Sequence, residues 1–231
     1  MTDFDSLAVV LGAITVTLGC RYFALTHHVD FANKPSGTVR IHNYPHAWEV
    51  WFDAHGLGIS DPVHRASHKL SRGFRWSEAR TLLPFAAKDQ AILDAALAHG
   101  IGDGFTVPSN IPGQLLGSCT FATTPECAIS DDNIPAAQVL GLLAFDKPCA
   151  LTNTRIARVA PALTPRQREV VMLVARGKSD WEIAIILAIS HGTATGHVRE
   201  ARQRYGTSNR ILLAVRAIAD GTISVHEIIG L

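Results

Sequence analysis

The run Leu163–Val198, LTPRQREVVMLVARGKSDWEIAIILAISHGTATGHV, constrains this chain more than any other part, because its punctuation admits only short helices in close succession. Thr164 suits an N-cap and Pro165 the first helical position, where its missing N–H costs nothing. Val170, Val171, Leu173 and Val174 then share one face, and Gly177 closes the helix. Ser179 or Asp180 caps a second helix that turns Ile183, Ala184, Ile186 and Leu187 inward. Ser190 caps a third, from about Gly192 to Arg204, with Ala194, His197, Val198 and Ala201 spaced for burial. Its other face carries Thr193, Thr195, Arg199, Arg202 and Arg204. Short helices, a tight turn and a helix with a basic outer face are what major-groove reading of double-stranded DNA requires.

Charge divides the chain in the same place. The whole has 21 basic and 20 acidic side chains, but residues 156–231 hold ten Lys/Arg against six Asp/Glu, leaving an acidic remainder. A basic module on an acidic body fits a DNA reader attached to something that does not touch DNA. Cys20, Cys119, Cys127 and Cys149 lack paired metal-ligand spacing, and eleven histidines form no HExxH, so no metal is expected. No secretory leader is evident, and a cytoplasmic protein with reduced thiols is the expectation. The apolar run Leu7–Gly19 is too short to cross a bilayer and reads as a buried helix; no membrane partner is expected.

Ahead of the basic module both periodicities occur. Helices are expected over Leu7–Thr17, Tyr44–His55, from Pro62 to about Leu70, Lys88–His99 and Ile134–Phe145. Strand character marks Tyr22–His28 and Thr38–His42, joined by the Asn33–Gly37 turn, and Gly104–Pro108 and Leu115–Ala122, joined by the Asn110–Gly113 turn. The expected fold is an α+β N-terminal ligand-binding domain, an antiparallel sheet flanked by helices, joined to an all-α helix-turn-helix domain. The domains are placed at 1–150 and 163–231. The linker is placed at 151–162, inside an aperiodic stretch that starts near residue 147.

Several spaced motifs resemble a known family. Tyr44-x3-Trp48-x3-Phe52, Asp61-Pro62-Val63, Phe74-x-Trp76-Ser77 and Gly104-x-Thr106-x-Pro108 resemble the autoinducer-binding domain of LuxR-type quorum-sensing regulators. Leu163-Thr164-Pro165, Glu169, Gly177-Lys178-Ser179 and Trp181-Glu182-Ile183-Ala184 resemble their DNA-binding domain. The resemblance implies an N-acyl homoserine lactone as ligand, no catalytic residue and no cofactor. It also implies a homodimer on a promoter inverted repeat, with RNA polymerase a further candidate partner.

The chemistry of the matching residues is compatible with this. Asp61 can accept from the ligand amide, the Trp48 indole can donate to the lactone carbonyl and the Tyr44 hydroxyl to the amide carbonyl. Trp76 would wall the lactone ring, and the resemblance places Thr106 and Cys119 near the start of the acyl chain. Ile92, Leu93, Ala96 and Ile101 are candidates for the tail cavity. Phe52 stands where the family usually has Tyr, and Cys119 where it has Ser or Thr. Both departures predict a less polar region near the amide, hence an atypical acyl group or a non-lactone signal. On the third helix, Thr195 and Arg199 match base-contacting positions, while Lys178, Arg202 and Arg204 suit phosphates. Ile211–Ile218 should form a fourth helix and contribute dimer contacts.

Two other classes fit poorly. An enzyme would need a nucleophile in a reactive setting, and no GxSxG elbow is present. A phosphorylation receiver would need an acidic cluster after its first strand. The remaining rival is a regulator that binds a different signal or acts without one.

Overall fold

The computed structural model describes residues 3–111, 114–145 and 161–230. The stretch expected to hold the linker lies almost wholly outside these residues, as does Cys149. The chain forms two compact units, divided near residue 155.

In the first unit, α1 (Asp3–Thr17) leads into β1 (Tyr22–His27) and β2 (Arg40–His42), then α2 (His46–Ala54), α3 (Leu57–Ser60) and α4 (Pro62–Ser67). β3 (Phe74–Arg75), α5 (Ala79–Leu82), α6 (Ala87–Ala98), β4 (Gly104–Ser109), β5 (Gly117–Ala122) and α7 (Ile134–Ala144) follow. The sheet runs β2-β1-β5-β4-β3 with every neighbouring pair antiparallel. Helix α4 is shorter than expected because the Asn110 Nδ2 takes the carbonyls of Ser67 and Leu70, at 2.9 and 3.1 Å, ending the helical ladder.

Strand alternation divides the side chains between two faces. Phe23, Leu25, Phe105, Val107, Cys119 and Phe121 point to one side, where Leu11, Leu18, Ala137 and Phe145 bury them beneath α1 and α7. The other side carries Ala24, Thr26, Thr120 and Ala122 and meets α2, α4 and α6. Helix α1 departs from expectation. Leu11 and Thr15 are buried, but Val9, Val10 and Val16 are 69, 53 and 73 % exposed, so only one stripe of it is core.

The second unit is all helical: α8 (Pro165–Ala175), α9 (Asp180–Ile186), α10 (His191–Arg204), α11 (Arg210–Ala219) and α12 (Val225–Ile229). Thr164 Oγ1 accepts from Gln167 N at 3.2 Å while Gln167 Oε1 accepts from Thr164 N at 3.0 Å, a reciprocal capping box. Ser179 and Glu182 form a second box, and Ser190 Oγ accepts from Thr193 N at 3.1 Å. Gly177 takes φ +76° just past α8, the left-handed stop that favours glycine. Val170, Leu173, Val174, Ile183, Ala184, Ala194 and Val198 make one core cluster, while Val171, Ala201, Tyr205, Leu213, Ala217 and Ile223 make another. Ile186, expected inside, is 51 % exposed; α9 ends at this residue, and Leu187 takes the inward place. No described helix is long and apolar enough to cross a membrane.

Candidate functional site: ligand cavity and nucleic-acid interface

A cavity lies between the threonine-bearing face of the sheet and helices α2, α4 and α6. Measured as space open to the centres of water molecules it is about 70 Å³.

Asp61 is the N-cap of α4. Its Oδ1 accepts from Val63 N at 2.7 Å and His64 N at 3.0 Å, so Pro62 at the first helical position costs no bond. Its Oδ2 accepts no hydrogen bond among the described residues, although Asp61 is buried and lines the cavity. Tyr44 and Trp48, four apart on the chain, line it too, and neither the hydroxyl nor the indole N–H is bonded to a described residue. Burial, and after it the Asp61 charge, holds the Tyr44 phenol well above its ordinary value, so it is a donor. One acceptor and two donors therefore face a common space.

Trp76 forms another wall. Its Nε1 donates to Thr106 Oγ1 at 2.9 Å, and Thr106 Oγ1 lies 2.8 Å from Thr120 Oγ1. Thr106 thus positions Trp76 and Thr120, the two that line the cavity. Phe52 also lines it. Ile92, Leu93 and Ala96 do so from α6, whereas Ile101 is buried beside Trp48 and Ala96 without reaching the space.

Cys119 is placed otherwise than expected. It lies between Ser118 and Thr120 on β5, so strand parity turns it into the opposite core with Leu11 and Phe121. Thr120 occupies the cavity face instead. Burial pushes the Cys119 thiol up to about 12, which leaves it protonated and unreactive.

Sequence reasoning missed Ala24, Thr26, Phe31, Arg40, His42, Glu49, Val63, His64 and Thr120 in the lining. Parity along β1, β2 and β5 could have found the strand residues, given which face each strand turns inward. The expected loss of polarity near the amide is not what the walls show, since Arg40, His42, Glu49 and His64 all border the cavity.

In the second unit Thr193, Thr195 and Arg199 are exposed on α10. Arg199 makes no hydrogen bond or ion pair with a described residue. The other positions are partly committed. Thr193 Oγ1 is 2.8 Å from Ser190 Oγ at the cap. Thr195 Oγ1 donates to Asp180 Oδ2 at 3.1 Å, tying α10 to α9, and Arg210 bonds both Asp180 and the Lys178 carbonyl, tying α11 to the start of α9. Lys178 Nζ sits 3.2 Å from Glu182 Oε1. Arg202 is half-buried with its Nε unpartnered, and Arg204 donates to the Ala162 carbonyl.

Both halves match families of known regulators. Residues 3–147 match the autoinducer binding domain, and residues 161–217 match the model for bacterial regulatory proteins of the luxR family. The chain belongs to the LuxR family. It is therefore an autoinducer-binding, DNA-binding transcription regulator, in a family that is not enzymatic. Among relatives of this LuxR-family chain, the HTH-type protein y4qH of Sinorhizobium fredii is 28 % identical, over 94 % of this chain and 68 % of its own. The transcriptional activator VanR of Vibrio anguillarum is 27 % identical, over 98 % and 94 %. Escherichia coli SdiA shares the fold, with a TM-score of 0.65 at 24 % identity over 97 % of this chain and 93 % of that one.

Proposed function

We propose that the first unit binds an N-acyl homoserine lactone. In this reading Asp61 Oδ2 accepts from the ligand amide N–H, Tyr44 donates to the amide carbonyl, Trp48 donates to the lactone carbonyl, and Trp76 flanks the ring. The observation that carries the reading is the division of labour at Asp61: one carboxylate oxygen is spent on the α4 cap and the other is left facing the cavity. The amide N–H and both carbonyls then find partners, which matters because a buried orphan costs about 1–3 kcal/mol.

The same proposal has a homodimer place two α10 helices on a promoter inverted repeat, with RNA polymerase as a further partner. Arg199 is free to donate bidentately to a guanine edge, and the Thr195 oxygen keeps a lone pair for a base amino group. Arg202 and Lys178 would meet phosphates, and Thr193 would line the approach.

The test is thermal unfolding of wild type and Asp61→Asn, each with and without a lactone panel. Asparagine keeps an oxygen for the cap but loses the charge. Wild type should be stabilised by at least one lactone, and the variant should keep its own melting temperature within a few degrees while losing most of that shift. A shift of equal size in both proteins would refute the role of Asp61. No shift for wild type with any lactone would favour a regulator of another signal.

A further inference from the structure

One wall of the cavity is polar in a way that the lactone head does not account for. β2 is an edge strand, and its register with β1 sets Arg40 across from Thr26 and His42 across from Ala24, all four lining the cavity. Arg40 is already occupied. Its Nη1 donates to both oxygens of Asp53, at 2.8 and 2.9 Å, and its guanidinium lies 4.2 Å from the Phe31 ring centroid. His42 is not. Its Nε2 lies 3.5 Å from Glu49 Oε1, while its Nδ1 is buried without a hydrogen-bond partner.

The neighbours decide which atom holds the proton. Glu49 stands beside Nε2, so a neutral ring carries its proton there and leaves a lone pair on Nδ1. Burial, and then the Arg40 charge, lower the affinity of His42 for a second proton, in keeping with a neutral ring. A buried acceptor with no donor calls for an explanation, and a ligand group that meets Nδ1 as the ring turns toward the cavity it borders supplies one.

We propose that His42 is a specificity contact, and that the signal carries a hydroxyl on its acyl chain which donates to His42 Nδ1. This rests on the lactone reading of the cavity. The His42 and Tyr44 rings are 5.9 Å apart, within reach of one ligand; with Tyr44, Trp48 and Asp61 taking the head-group atoms, the contact proposed for His42 is with the first acyl carbons. A 3-hydroxyacyl chain meets this requirement. A 3-oxo chain brings a second acceptor to the Nδ1 lone pair, and an unsubstituted chain leaves the nitrogen orphaned.

The experiment titrates the full chain with N-octanoyl, N-(3-oxooctanoyl) and N-(3-hydroxyoctanoyl) homoserine lactone, read by calorimetry. The hydroxylated ligand should bind at least about tenfold more tightly than either of the others. In His42→Phe that ratio should fall below about twofold. Equal affinities in wild type, tighter binding of the 3-oxo ligand, or a preference that survives in His42→Phe would each overturn the contact while leaving lactone binding standing. If none of the three binds, the lactone reading fails and the contact with it. Should His42→Phe not fold, the wild-type ranking alone decides.

Discussion

Gly104 shows how much of the cavity depends on one missing methyl group. A Cβ built there would lie 2.6 Å from Trp76 Cε2 and 2.9 Å from its Nε1, the atom that donates to Thr106. Gly104→Ala should push the indole off its hydrogen bond, lower stability by about 1–3 kcal/mol in urea unfolding and shrink any lactone-induced melting shift. An unchanged urea midpoint with an unchanged shift would show that Trp76 is free to move at no cost. The residue scale also shows what a sequence can and cannot disclose. Asp61, Tyr44, Trp48 and Trp76 stood out because their spacing carries a recognisable pattern. Cys119 was misplaced by one step of strand parity, since a motif names a position without fixing which way the strand turns it. His42 was invisible because its meaning comes from Glu49 and Arg40, neighbours supplied by the tertiary fold.

At the scale of elements, β1 and α4 are joined by imidazoles. His28 Nε2 is 2.9 Å from Ser118 Oγ and its Nδ1 is 2.8 Å from His68 Nε2. The His64 ring stacks on His28 at 3.9 Å, and His64 Nδ1 donates to the Gly58 carbonyl at 2.9 Å. Burial, then His64, His68 and His27, hold His28 well below its ordinary value of 6.5, and burial alone brings His27 down to about 4. His68 is lowered by burial, then by His64 and Lys69. Carboxylates on the packed elements are already engaged: Asp61 caps α4, and Asp89 is paired with Arg65. The unfolded chain takes up protons as pH drops through 6.5, and the folded chain takes them up only at lower pH. Stability is therefore full above that value and declines below it, until the folded histidines titrate. Each histidine that stays neutral should cost about 1.4 kcal/mol per pH unit. Urea midpoints measured from pH 7.5 to 5 should fall accordingly, and a flat profile would contradict the buried cluster. The helix caps at Thr164, Ser179 and Ser190 were readable in the sequence because a cap is a local bargain between a side chain and the next turn. The exposed valines of α1 and the exposed Ile186 were not, since burial depends on what packs against a helix.

Over the whole molecule, two units with separate cores must share one regulatory task. Helix α10, 14 residues long, presents an exposed row of Thr193, Thr195 and Arg199. A single module of that kind covers roughly 600–1,000 Å² of DNA-facing protein surface, which yields modest specific affinity. A two-fold pair reading half-sites about one helical turn apart multiplies it. Ile211 and Val215 are 74 and 52 % exposed on α11, one turn apart, an apolar stripe on the unit that binds DNA. Band-shift titrations should then show the full chain binding a duplex with two inverted half-sites at least about a hundredfold more tightly than a duplex with one. Ile211→Asp combined with Val215→Asp should bring the two affinities together, because the half-site contact is kept while pairing is lost. If the double variant kept the wild-type ratio, the α11 stripe would have no part in pairing. If wild type bound both duplexes alike, the reading head would be a single α10, and signal occupancy would have to act on something other than dimer concentration.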